Sequence, residues 1–418
     1  MKPPSTRRAI AAGMIGNLLE WYDFAIYGYF AATIGRAFFP AQDPVAQVLS
    51  AFGIFALGYL MRPLGGMVVG DIGDRHGRRA ALTFSITAMA VPTFLVGVLP
   101  GHATLGIAAP ILLTLLRMIQ GLSVGGEATM SMVFLVERAP RGRRGLVGSL
   151  ASLAANGGFL TGSAIGALFA ALLPAEALTD WGWRVPFMLG LLVGIVGWWI
   201  RRMLEEDPSV TRPATSPLAD TLHNHGPLVA RVAGIAIFNA VGFYLMFLYI
   251  VTWLQGVDGV SPARALEVNT VSMVALLPVM VTAGWLSDRV GRRPLMFGAL
   301  VLGFSGALPF LWLMHHPDPL LMLGGQLAFV VPAGICLGVM PAVLTEAVPA
   351  GVRCTAVSLG YNIAFGIIGG LTPLTAAWLV ARTEIDLSPA WLIMAAAAIT
   401  FAALLASRET SRDATLPA

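Results

Sequence analysis

Charge is scarce in this chain. Of 418 residues only 11% are Asp, Glu, Lys or Arg, and 57% are hydrophobic. Soluble domains carry about 25% charge, so a soluble class is excluded and an integral membrane protein is expected. Cysteine is scarcer still. Cys336 and Cys354 are the only two, both at or inside apolar runs, which excludes a disulfide scaffold and a cysteine metal cluster. His223, His225, His315 and His316 fall in connecting segments whose spacing builds no metal site, so no metal is expected. The sequence also lacks a Gly-rich phosphate loop and a nucleophile motif, which disfavours an enzyme and calls for no cofactor.

Long apolar runs are what the chain has instead. At about 20 residues per crossing, its length holds roughly twelve helices. The expected spans are 9–39, 45–70, 80–100, 105–136, 145–174, 184–202, 228–256, 267–287, 294–314, 320–345, 354–381 and 389–407. The start, MKPPSTRRAI, is similar to a signal n-region, but the run behind it is long and holds acids, so it reads as a retained first span. A polar stretch interrupts the series near its middle. The predicted organisation is a six-helix bundle over 1–202, a cytoplasmic linker over 203–226 and a second six-helix bundle over 227–418.

Most of the 26 Lys and Arg residues lie in the tails, the linker and the loops after even-numbered spans. By the positive-inside rule those loops and both termini are cytoplasmic. The basic pI of 9.4 is therefore a topology signal, and a nucleic-acid partner is not expected.

Two segments recur half a chain apart, as they do in internally repeated folds. GDIGDRHGRRAAL (70–82) matches GWLSDRVGRRPLM (284–296), and ERAPRGRRGLVGSL (137–150) matches EAVPAGVRCTAVSL (346–359). Two six-span halves of the same orientation are the plan of a transporter whose site lies between halves. Asp74, Arg75, Arg78 and Arg79, with Asp288, Arg289, Arg292 and Arg293, are the expected cytoplasmic gate. Arginines there anchor a loop to the inner leaflet in any case; topology gives no reason for the two aspartates.

The first span carries the costliest residues. Within GNLLEWYDFAIYGYF (16–30), Asn17, Glu20, Asp23 and Tyr27 fall within an arc of roughly 120°. A carboxylate in a membrane helix costs about 2.5–3.5 kcal/mol on insertion scales, so it faces a partner or a watery cavity. Aligning Asn17 with Asn239 pairs Tyr22 with Tyr244 and Tyr27 with Tyr249, while Glu20 and Asp23 meet Gly242 and Leu245. The loop register likewise pairs Arg117 with Gln326 and Glu127 with Cys336. Every one of these charges has a neutral counterpart. Asp23, Glu20 and Glu127 are thus the candidates to take up a proton. Substrate binding is expected from Arg117, Gln120, Asn17, Tyr22, Tyr27, Asn239, Tyr244, Tyr249 and Gln326. Arg62, in MRPLGG, reads as half of a structural ion pair.

The doubled DRxGRR in a twelve-span chain resembles the major facilitator superfamily. Within it, GNLLEWYDFAIYG (16–28), MRPLGG (61–66), RMIQGLSVGGE (117–127), WRVPF (183–187) and SLGYNIAFGIIGGLTP (358–373) are similar to the metabolite:proton symporters. That group includes carriers of citrate, 2-oxoglutarate, shikimate and proline/betaine. The resemblance implies an all-α integral membrane fold of twelve helices in two pseudo-repeats, alternating access and proton coupling. It implies spans one, four, seven and ten around the cavity. The expected function is proton-coupled uptake of a small organic acid such as a di- or tricarboxylate, in a bacterial inner membrane, by a monomer. Uptake of a zwitterionic osmolyte, proline or betaine, is the alternative, as is proton-driven efflux. The expected partners are a small organic solute, the proton and the lipid bilayer.

Overall fold

The computed structural model describes residues 20–40, 43–76, 78–123, 127–202 and 224–411. Asn17 lies outside them, as do the side chains of Asp74, Arg75, Arg78, Arg79 and Glu127. Among the described residues there is no strand, and helices stand at each of the twelve expected spans. They are α1 (20–38), α2 (Pro44–Leu60, continuing as Arg62–His76), α3 (Arg78–Val98), α4 (Ala108–Ser123, then Glu127–Glu137), α5 (Arg144–Leu172) and α6 (Arg184–Arg202). The second series is α7 (Gly226–Gly256), α8 (Pro262–Val290), α9 (Arg292–Met314), α10 (Pro319–Glu346), α11 (Ala350–Thr383) and α12 (Pro389–Leu405). This is an all-α membrane fold.

Local chemistry sets several of the helix starts. Asp43, Ser261 and Asp318 each accept a hydrogen bond from a backbone N–H of the first turn, and a proline follows each of them. A short acceptor at the cap satisfies one orphan donor, and proline at the first position has no N–H to satisfy. Composition then decides depth. Over their apolar windows α7 is 94% buried and α10 is 78% buried, whereas α5, α8 and α9 reach only 39%. The first two are interior helices; the others turn one face outward. Those outward faces carry Val271, Val274, Val301 and Leu302, as lipid contact requires.

The chain forms two compact units. One contains 1–127 and 157–214, the other 128–156 and 215–418. In the first unit α3 packs along α6 and α4, and α2 packs on α1 and α4. In the second, α10 packs along α8 and α9, and α7 packs on α12, α11 and α10. The first turns of α5 belong to this second unit, where they cross the end of α8 at glycines. A Cβ on Gly284 would stand 2.6 Å from the Gly145 carbonyl oxygen, and one on Gly145 would collide with the Gly284 carbonyl. Only hydrogen fits at that crossing.

Two π-helical turns break the α pattern in the second unit, Leu245–Tyr249 in α7 and Asn362–Gly369 in α11. The second packs against the stretch of α7 just before the first. A Cβ on Gly369 would lie 2.7 Å from the Tyr244 ring, whose centroid is 6.4 Å from that of Phe365.

Gly284→Val should lower the thermal midpoint in detergent, because overpacking costs about 1–3 kcal/mol. Gly298→Ala, where nothing lies within 4 Å of the added carbon, should hold or slightly raise it.

Candidate functional site

Among its described residues the first unit buries four charges as two ion pairs. Asp23 and Arg117 are fully buried, and Arg117 Nη1 donates to Asp23 Oδ2 at 2.6 Å. Asp23 Oδ1 accepts from Gln120 Nε2 at 2.7 Å and from the Thr93 hydroxyl at 2.8 Å. Arg117 Nη1 also donates to Gln120 Oε1 at 2.9 Å, which closes the ring of contacts. Gln120 follows Arg117 by three residues on α4, so both side chains leave one helical face. Glu20, one turn before Asp23, accepts from Arg62 Nη2 at 2.9 Å.

Aromatic rings wall both guanidiniums. Arg117 Cζ lies 4.3 Å from the Tyr27 ring centroid and 5.2 Å from that of Phe24. Arg62 Cζ lies 5.2 Å from Tyr59, 5.5 Å from Trp21 and 5.9 Å from Phe24. Phe24 therefore stands against both cations, and the ring quadrupoles offset part of the cost of burying them. The hydroxyls of Tyr22 and Tyr27 are occupied elsewhere, donating to the carbonyls of Pro186 at 2.6 Å and Ala51 at 3.0 Å. They tie α1 to α6 and α2. Arg117 Nε and Nη2 have no hydrogen-bond partner among the described residues. The guanidinium thus grips Asp23 with one corner and keeps a two-donor edge.

The second unit contributes neutral groups. Asn239 Nδ2 donates to Met340 Sδ at 3.1 Å, and Gln326 Nε2 donates to the Met246 carbonyl at 2.7 Å and to Asn269 Oδ1 at 2.9 Å. Tyr244 and Tyr249 are buried on α7. Asn239, Tyr244 and Gln326 therefore share the α7–α10–α11 packing.

The expected gate residues of the second repeat divide into two kinds. Asp288 accepts from the backbone N–H groups of Gly145 at 2.8 Å and Leu146 at 2.9 Å, and so caps the start of α5. Arg292 pairs with Asp288 at 2.8 Å and Glu346 at 3.2 Å. Arg353 pairs with Glu137 at 2.6 Å. By contrast, the Arg289 and Arg293 side chains lie over Trp285 and Phe297. Gly291 precedes Arg292 with φ of 116°, a backbone conformation that glycine adopts and side chains resist. That turn presents the N–H groups of Arg292 and Arg293 to Glu409, at 3.0 and 2.8 Å. Burial alone would raise the Glu409 pKa, but these bonds and those from Ser411 hold it below the ordinary value.

Thr93, Phe24, Tyr59 and Glu409 escaped the sequence reading. Thr93 is one hydroxyl in an apolar span, and its only signal was being polar there. Phe24 and Tyr59 are aromatics within apolar runs, and nothing in the sequence singles them or Glu409 out.

Comparison with known proteins follows the same lines. The description "Sugar (and other) transporter" matches residues 9–211. The proline/betaine transporter of Salmonella typhimurium is 34% identical over 421 residues, covering 97% of this chain and 84% of that protein. The glycine betaine/proline/ectoine/pipecolic acid transporter of Dickeya dadantii is 34% identical with the same coverage, 97% and 84%. Among solved structures, a D-xylose–proton symporter superposes with a TM-score of 0.75 at 20% identity, covering 96% of this chain and 97% of that one.

Breaking a buried pair leaves an uncompensated charge, at a cost of about 3–5 kcal/mol. Asp23→Asn and Arg117→Gln should each depress the thermal midpoint, and the double variant should lose less than their sum. Glu409→Ala should cost about 1 kcal/mol at neutral pH, the usual cost of a lost cap. A depressed carboxyl stabilises above its unfolded pKa and stops as the pH falls through its folded one. The gap between Glu409→Ala and wild type should therefore close below about pH 4.3 in melts run from pH 7 downward.

Proposed function

The chain belongs to the major facilitator superfamily of membrane transporters, among the relatives of the proline/betaine carriers, and on that footing we propose that it imports a zwitterionic osmolyte by proton symport across the bacterial inner membrane. The expectation of a di- or tricarboxylate gives way to its alternative. Both relatives compared above are named as carriers of proline and betaines.

One observation carries the choice of substrate. The four charges buried among the first unit's described residues cancel, Arg117 against Asp23 and Arg62 against Glu20. A di- or tricarboxylate would bring two or three negative charges to a site with no surplus cation among its described residues. A zwitterion brings no net charge. Its carboxylate suits the Nε–Nη2 edge of Arg117, a planar fork matched to two oxygens. Its ammonium end suits aromatic faces and neutral oxygens, the chemistry by which proteins hold choline-like groups.

Coupling follows from the shared guanidinium. Arg117 holds Asp23 at one corner, and a substrate carboxylate would approach the same cation. One guanidinium does not satisfy two carboxylates equally, so substrate binding favours a proton on Asp23, and the proton in turn favours substrate. That reciprocity is the linkage a symporter needs. In this reading Asp23 carries the proton and Gln120 and Thr93 hold whichever form is present. Glu20 with Arg62 fixes α1 to α2. The proton gradient supplies the energy.

Proteoliposomes with an alkaline interior test the reading. Labelled betaine or proline should accumulate and leak out when a protonophore is added, while citrate and succinate should not. Asp23→Asn should keep substrate exchange and lose gradient-driven accumulation. Preferential uptake of the acids, or accumulation indifferent to the gradient, would overturn it.

A further inference from the structure

The repeat places Gln326 where the first half has Arg117, and Leu245 where it has Asp23. The structure keeps the contact and changes its chemistry. In the first unit a guanidinium grips a carboxylate side chain. In the second, Gln326 Nε2 grips a main-chain carbonyl, that of Met246, the residue after Leu245. Met246 lies in the π-helical turn Leu245–Tyr249, where the hydrogen-bond ladder of α7 is interrupted. A π-turn carries one residue more than an α-turn, so its carbonyls are not all taken by the helix. The carbonyl in question goes to Gln326, which is fully buried.

Both flanks of that turn are pinned. Before it, the Phe238 N–H donates to Thr400 Oγ1 at 3.0 Å, and Thr400 donates in turn to the Gly234 carbonyl at 2.7 Å, fixing α7 to α12. Gly242 sits against Phe329 of α10, where an added Cβ would come within 3.0 Å of the ring. After it, Trp253 Nε1 donates to the Asp386 carbonyl at 2.9 Å. Between those anchors the extra residue has to be absorbed somewhere. Closing the bulge would rotate one side of α7 by about 100° and shift it about 1.5 Å relative to the other. Gln326 also donates to Asn269 of α8, so one amide joins the turn to two neighbouring helices.

We propose that Gln326 is a positioning residue that holds α7 in its π register, and so sets the orientation of Tyr249 and Trp253, rather than a ligand contact. It is the non-titrating copy of the Arg117–Asp23 clasp. Its consequence for transport rests on the transporter reading above; the helical register it controls does not.

The test is a structure of Gln326→Leu together with transport kinetics of Gln326→Leu and Gln326→Glu. In Gln326→Leu, α7 should run as an α-helix through 245–249, with Tyr249 turned from its present side. Turnover should fall about tenfold or more with KM changed less than about threefold, because the substrate contacts are not what was removed. In Gln326→Glu, a protonated carboxyl can donate to the Met246 carbonyl and an ionised one cannot, so turnover should recover on acidification relative to wild type. An intact π-turn in Gln326→Leu, or a raised KM with unchanged turnover, would overturn the proposal. If Gln326→Leu does not fold, the structure of Gln326→Glu at acid and alkaline pH decides, and an identical register in both overturns it. Loss of gradient-driven uptake in wild type would sink the symporter reading alone and leave the register result standing.

Discussion

A guanidinium and a carboxylate, both without access to solvent, lie 2.6 Å apart at the centre of the first unit. Neither charge would be tolerable there alone, since taking an ion out of water costs several kcal/mol even after relaxation. The residues around them follow from that constraint. Gln120 and Thr93 supply hydrogen bonds to the carboxylate, and Phe24 and Tyr27 lay ring faces against the cation. Tyr27 in turn is held by its hydroxyl to the Ala51 carbonyl of α2. Four helices are thus fixed by the need to satisfy one pair. A pair so enclosed changes state only when something neutralises one member or competes for the other, and a proton and a carboxylate-bearing solute are two such agents.

The second unit shows what the same scaffold does without charge. Its amides bond to sulfur, to a carbonyl and to one another. These contacts do not titrate within any physiological range. Where the first unit sets a buried carboxylate against a guanidinium, the second sets amides against a carbonyl and a sulfur, so the two halves answer differently to a change of charge at these positions.

Much of this was legible in the sequence because membrane insertion makes polar residues conspicuous. Asp23, Glu20, Arg62 and Arg117 stood out against apolar runs, and the internal repeat showed which of them lacked charged counterparts. Twelve runs of spanning length and the doubled DRxGRR were enough for the fold. Other features left weaker traces. Thr93 and Phe24 are ordinary residues made important by contacts across 70 and more positions, or by two cations that happen to flank one ring. The π-turn in α7 has no proline or glycine within it, and its anchors stand on α10, on α12 and in the segment between α11 and α12. The proposed shift from an acid to a zwitterion rests on how Arg117 and Arg62 are matched by Asp23 and Glu20, a pairing in space that spacing along the chain leaves open.

The cap on α9 has a bearing on how the molecule is made. The N–H groups of Arg292 and Arg293 find their acceptor in Glu409, 117 and 116 positions further along. Thr410 adds a hydrogen bond to Glu346, part of the same cluster. The Glu409 acceptor lies beyond α10, α11 and α12 in the chain, so it is made after all three. Glu409 and Thr410 thus join, from late in the sequence, a cluster whose other members, Asp288, Arg292 and Glu346, come earlier. A chain cut between α12 and Glu409 would leave α9 without this cap and Glu346 without the Thr410 hydroxyl.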